Sequence, residues 1–138
     1  MKILIVGSRA FNDYNLLKNT IDNILAEKNC KENIEIVNGG AKGADSLAEQ
    51  YAKEKGYALR IFPADWNQYG KSAGYKRNIE MHDYISRFDD RCCVAFWDGE
   101  SKGTQHSFEL AKIYANNLII IEYNKDKTES KSIYPELE

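Results

Sequence analysis

The chain has 138 residues, 43% of them hydrophobic and 29% charged, with a net charge of −2. That fits one ordinary globular domain, large enough to bury a core without disulfides or metals. The near-neutral balance and the lack of a basic block argue against a general nucleic-acid or membrane-surface binder, while leaving room for a local basic pocket.

The cysteines are Cys30, Cys92 and Cys93. No CxxC spacing occurs, and no histidine stands at ligand spacing from a cysteine. They read as reduced, buried thiols, with no metal. The opening "MKILIVGSRAF" is apolar too briefly for a signal peptide or a membrane span. Both features predict a cytoplasmic protein without membrane association.

The first apolar run, residues 2–6, ends at Gly7 and reads as a buried parallel strand. A helix follows, with Asp13 as its N-cap and Leu17, Ile21, Ile24 and Leu25 on one face. Residues 34–37 form a second strand. It breaks into Gly39, Gly40 and Gly43 and resumes as a helix with Ala44, Leu47, Ala48, Tyr51 and Ala52 inward. Gly56 stops that helix. The third strand is residues 58–62. An irregular segment, "PADWNQYGKSAG", then precedes a helix in "YKRNIEMHDYISRF", with Met81, Tyr84, Ile85 and Phe88 inward. Its length for a strand-to-helix connection is a functional signal. The fourth strand, "RCCVAFW", ends in "DGESKGT" before the helix "TQHSFELAKIYANN". A fifth strand, "LIIIEY", completes the pattern. Residues 125–138 read as a charged, aperiodic tail, frayed or loosely docked.

Strict alternation of short apolar strands with helices predicts an α/β fold over residues 1–124. It is a single Rossmann-like domain, with a five-stranded parallel sheet of order 3-2-1-4-5 and helices on both faces. Ligands of such sheets sit beyond the carboxyl ends of the strands, at the reversal between strands 1 and 4. The loops at that end, "GSRAF", "NGGAKGAD", "PADWNQYGKSAGYKRN" and "DGESKGT", are rich in Gly, Ser, Thr, Lys and Arg. The loops at the other end are ordinary charged turns.

That one-sidedness marks the candidate ligand-binding residues. Gly39, Gly40 and Gly43 open the second helix, where free N–H groups can cradle an anion or where the backbone merely packs tightly. Asp45 is either a first-turn acid suited to the helix dipole or an acceptor for ribose hydroxyls. Gly99, Ser101, Gly103 and Thr104 repeat the glycine device before the fourth helix. Gly7, Ser8 and Arg9 follow strand 1, and Arg77 with Asn78 begins the third helix. Either arginine can clamp a phosphate. Asp98 ends strand 4 as a hydroxyl acceptor. Trp66 and Tyr69 stack on a base or plug their own loop. "YGKS" lacks the first glycine of a Walker loop, since Asp65 stands there, and GxGxxG is absent after strand 1. His82 and His106 are each alone, with His82 placed on a helix flank.

"GSRAF", "VNGGAKGADSLAEQYA", "FPADWNQYGKSAGYKRNIEM" and "AFWDGESKGT" together resemble the YspA/YpsA-related branch of the SLOG superfamily, from the first strand to the fourth helix. The resemblance implies a Rossmann-like fold. The superfamily includes the Lonely Guy (LOG) enzymes, which cleave nucleoside 5′-monophosphates at the N-glycosidic bond. It also includes sensors of nucleotide-derived signals, often in phage conflict systems, and DprA. Arg77 matches the arginine of the LOG segment "MxxRKxxM". Gly103 and Thr104 match "PGGxGTxxE", but its catalytic glutamate falls on Ser107. A serine cannot offer the carboxylate charge that an oxocarbenium-like transition state needs. The leading expectation is therefore a module binding a phosphorylated, ribose-containing nucleotide, with no other cofactor. The alternative is a nucleotide N-glycosidase using Arg77 with Asp98 or Asp45, or with Glu109 as another substitute acid. DprA-like DNA binding fits the charge poorly. The superfamily also implies a homodimer.

Overall fold

The computed structural model describes residues 1–124 and 127–133. Its strands are β1 (Lys2–Gly7), β2 (Glu35–Asn38), β3 (Ala58–Ile61), β4 (Arg91–Trp97), β5 (Leu118–Asn124) and β6 (Lys127–Ile133). The helices are α1 (Tyr14–Glu27), α2 (Ala44–Lys55), α3 (Trp66–Tyr69), α4 (Ala73–Ser86) and α5 (Lys102–Ile113), with a 3-10 turn at Gly70–Ser72. The sheet order is β3-β2-β1-β4-β5-β6. Strands β1 to β5 run parallel, so the predicted five-stranded sheet of order 3-2-1-4-5 is present.

Side-chain alternation along β1 and β4 sorts residues into two cores, because successive strand residues face opposite ways. Ile3 and Ile5 of β1, with Cys92, Val94 and Phe96 of β4, pack against Leu17, Ile21, Ala48 and Tyr51 from α1 and α2. Leu4, Val6, Cys93 and Ala95 face the other way, onto Met81 and Ile85 of α4 and Ala111 of α5. The adjacent cysteines thus belong to different layers, and all three cysteines are unpaired. Burial pushes the Cys92 thiol up to about 12 and raises Cys93 too, which leaves both inert.

Asp13 caps α1 by accepting from the Leu16 amide at 3.0 Å, and Gly56 ends α2 in the left-handed conformation at φ 74°. At the opposite end of the sheet from the glycine loops, Glu35 gathers Lys2 (3.2 Å), Arg60 (3.6 Å) and the Tyr84 hydroxyl (2.5 Å). This cluster ties β1, β2, β3 and α4 together.

Three local expectations change. Lys127–Ile133, read as part of a frayed tail, pairs antiparallel with β5, Ile133 opposite Ile120 and Ser130 opposite Tyr123. The rest of the predicted tail, 125–126 and 134–138, lies outside the described residues. The segment at 63–74 is not wholly irregular. Asp65 accepts from the Gln68 amide at 3.1 Å and nucleates α3, and α4 already begins at Ala73. His82 is not on a flank but fully buried. Its Nδ1 meets the Asn116 amide at 3.1 Å, and that amide also donates to the His82 carbonyl at 3.2 Å.

Among the described residues no helix is long and apolar enough to cross a membrane. No group of three or more His, Cys, Asp or Glu there is placed to hold a metal ion.

Candidate functional site

β1 and β4 are neighbours in the sheet, yet their connections leave in opposite directions, α1 to one face and α5 to the other. A crevice must open where those connections part. It is a cavity of about 490 Å³ at the carboxyl ends of the strands. Its lining includes Gly7, Ser8 and Arg9 after β1, Asp45 from α2, and Trp66 from α3. Arg77 and Asn78 of α4 join them, with Asp98 and Ser101 after β4 and Gly103 and Thr104 of α5.

The remaining predicted glycines stand behind this wall. Gly43, at φ 76°, faces the carbonyls of Ser8 and Arg9, and a β-carbon there would collide with that backbone. Gly39 makes room for a side chain: its β-carbon would lie 2.5 Å from Arg77 Nη1 and 2.8 Å from Arg77 Cδ. Gly40 and Gly99 take positive φ values in their turns, 70° and 86°. The glycines at 39 and 43 therefore admit other parts of the protein, and through them shape the cavity.

Arg77 is half-buried, and its hydrogen bonds fix its direction. Nη1 donates to the Gly39 carbonyl at 2.7 Å and Nε donates to Asn78 Oδ1 at 3.1 Å. Burial lowers the guanidinium's proton affinity, Asp45 nearby restores part of it, and Arg9 opposes. It stays charged, since an arginine cannot be deprotonated in a protein.

Asp45 is nearly fully buried. Its Oδ2 accepts from the Ala41 amide at 3.1 Å. Burial raises its pKa above the ordinary carboxylate value, against the pull of the Ala41 amide and of Arg77. Desolvation outweighs the arginine here, so the site holds a carboxyl that takes a proton readily next to two cations.

Asp98 organises the turn before α5. Its Oδ1 accepts from the amides of Glu100 (2.9 Å) and Ser101 (2.8 Å), and its own amide donates to Ser8 Oγ at 3.3 Å. That last bond joins the β1 and β4 loops across the reversal. Thr104 donates to Ser101 Oγ at 3.1 Å. Among the described residues, the side chain of Ser101, the N-cap of α5, makes no bond to the first-turn amides, and such an end of a helix suits an anion.

Sequence reasoning missed several lining residues. Lys71, on the 3-10 turn, adds a third cation to Arg9 and Arg77, against the acids Asp45 and Asp98. Tyr75 joins Trp66, and the two rings are 48% and 49% exposed at the mouth. Val6 and Met81 give the floor an apolar character. The cue for Tyr75 was its spacing, three residues before Asn78 and so on the same helix face. Tyr69 does not line the cavity; Lys76 Nζ sits 4.7 Å over its ring. Glu109 does not line it either. Ser107 does, fully buried, and its hydroxyl has no hydrogen-bond partner among the described residues.

Comparison with known proteins bears on the family and the fold. The Gene 61 protein of Mycobacterium phage D29 is 35% identical over 118 residues, spanning 80% of this chain and 88% of that protein. The X-ray structure of TM1055, a Northeast Structural Genomics Consortium target, is similar with a TM-score of 0.57 at 17% identity. It covers 85% of this chain and 71% of that one, and the likeness is one of fold. The family model for YspA, cpYpsA-related SLOG proteins (YAcAr) matches residues 1–69, the half that carries "GSRAF" and the Gly39 loop. With the order of the sheet and the place of its crevice, these matches establish that the chain belongs to the YspA, cpYpsA-related SLOG family.

Proposed function

We propose that the cavity binds a phosphorylated, ribose-containing nucleotide or a signal derived from one. The observation that carries this reading is the convergence of Arg9, Arg77 and the uncapped start of α5 on one crevice at the β1/β4 reversal. Charge-assisted bonds from a fixed guanidinium and from helix-end amides suit a phosphate. Asp45 accepts a ribose hydroxyl. Trp66 and Tyr75 offer rings to a base, whose flat face stacks on an aromatic surface. A cavity of about 490 Å³ falls in the size range of small-ligand pockets. The unpaired thiols suit a reducing compartment such as the cytoplasm.

Native mass spectrometry of the purified chain with a panel of nucleoside mono-, di- and triphosphates tests the reading. A retained one-to-one complex with at least one of them supports it. No complex with any, at millimolar ligand, removes it.

One observation favours a second reading, a nucleotide N-glycosidase. Asp45 is a buried carboxyl of raised pKa bordering the cavity, and a raised carboxyl pKa is what a general acid requires. Chromatography separates the two readings: release of free base that is lost in Asp45→Asn marks the enzyme.

A further inference from the structure

Asn78 has its whole side chain engaged by the protein. Arg77 Nε only donates, so the Asn78 atom 3.1 Å away is the amide oxygen. The amide nitrogen then faces the Gly103 carbonyl at 3.4 Å and His106 Nδ1 at 3.3 Å. Because Asn78 donates there, His106 Nδ1 must accept, and its proton sits on Nε2. A chain of defined direction therefore runs from Arg77 on α4, through Asn78, to His106 on α5.

Resting on the nucleotide reading for its use, we propose that Asn78 and His106 are a positioning pair that aims Arg77 into the cavity, and that a proton on His106 releases it. The amide cannot rotate to meet a protonated Nδ1 without turning its own nitrogen toward Arg77 Nε. With one amide oxygen between two donors, either the protonated imidazole or the Arg77 Nε–H then lacks its acceptor. Nη1 is already committed to Gly39, so the bond at Nε fixes the plane of the guanidinium and leaves Nη2 for the ligand.

The surroundings of His106 hold it neutral near pH 7. Tyr75 on α4 packs its ring edge-on at 4.7 Å, which removes water. His82 on α4 is close enough to feel the His106 charge. Glu109 on α5 favours the proton, but burial prevails and lowers the pKa from 6.5. The release therefore belongs to pH below the ordinary histidine value of 6.5.

The test is nitrogen-15 NMR of the full chain, following the His106 ring and the Arg77 Nε–H, with His106→Asn and His106→Ala beside the wild type. Asparagine keeps an acceptor near the Nδ1 position; alanine does not. At pH 7.5 the wild type should show a bare Nδ1 and a protonated Nε2. On acidification the Arg77 resonance should move with the His106 midpoint, and in His106→Asn this movement should vanish. A protonated Nδ1 at pH 7.5, or an Arg77 resonance indifferent to both acid and His106→Ala, overturns the proposal. At pH 7.5, His106→Ala should weaken AMP binding about threefold to tenfold, the scale of one hydrogen bond, with most recovered in His106→Asn. Equal losses in both variants would also overturn it. If the wild type binds no nucleotide, the nucleotide reading falls and the resonances alone decide the pair.

Discussion

Arg77 donates through Nη1 to the carbonyl of Gly39 at 2.7 Å, across the gap between the loop that leads into α2 and helix α4. The absence of a side chain at Gly39 is what lets the guanidinium lie there. A β-carbon would sit 2.5 Å from Nη1 and within 2.8 Å of Cδ.

Gly39→Ala should therefore act as an Arg77 variant. Gly39 does not adopt a positive φ, so alanine meets no backbone penalty and the chain should fold. Nucleotide affinity should fall by about 1.5–3 kcal/mol, the range of a hydrogen bond to a charged group. Combining it with Arg77→Ala should cost little more than either alone, because both remove one interaction. Additive losses in calorimetric titrations of the two single variants and the double variant would break this link.

Asp45 presents the opposite balance of stability and use. Its pKa is raised on folding, so at pH values above the folded pKa the native state carries a carboxylate it would rather protonate. That penalty is full above the folded pKa and fades as pH falls through it toward the unfolded value near 3.8. Asp45→Asn should raise the melting midpoint by about 4 °C at pH 7, on the scale of 1 kcal/mol for a chain of this size. The gain should shrink near pH 4, with weaker discrimination between ribose and deoxyribose nucleotides. Calorimetric melts at the two pH values check the sign.

His82 carries the acid limit of the fold. Burial holds its pKa down to about 4 against 6.5 for an ordinary histidine, with His106 adding to the effect. The unfolded chain then binds the extra proton, so stability is full above about pH 6.5 and is lost as pH falls toward 4. The slope approaches about 1.4 kcal/mol per pH unit. Urea denaturation between pH 7 and 4.5 should show this slope, and His82→Gln should flatten it. A slope that survives in the variant would assign the acid sensitivity elsewhere.

Ser107 bears on chemistry. It stands where the similar LOG motif has glutamate, buried at the edge of the cavity, its hydroxyl unpartnered among the described residues. Hydrolysis of simple nucleoside monophosphates should be weak or absent, since general acid–base assistance is typically worth roughly 10²–10⁴-fold. Chromatography for released base is the check. Turnover gained in Ser107→Glu would show a competent pocket lacking only its acid.

The order of the sheet was legible in the sequence because buried parallel strands announce themselves as β-branched runs, and alternation with helices leaves few topologies. β6 was hidden for the same reason in reverse. An edge strand is blunted by charge, and "KTESKSI" looks like a loop until it finds Ile120 and Tyr123 opposite. The one-sided loops pointed to the end of the sheet where the cavity lies, lined by Arg9, Asp45, Arg77 and Thr104. They did not reveal that Gly39 and Gly43 face protein atoms, since a glycine gives no sign of what approaches it. Nor did they reveal His106, whose pairing with Asn78 spans 28 residues and depends on how α4 packs on α5.

The most direct test of the nucleotide reading is calorimetric titration of a nucleotide panel into the wild-type chain, Arg77→Ala and Arg77→Lys. The account predicts saturable one-to-one binding of at least one phosphorylated nucleoside. Arg77→Ala should weaken it by about 1.5–3 kcal/mol. Arg77→Lys should recover only part, because a point charge replaces a planar fork. Affinity unchanged in both variants, or a wild-type chain that binds none of the panel, would contradict it.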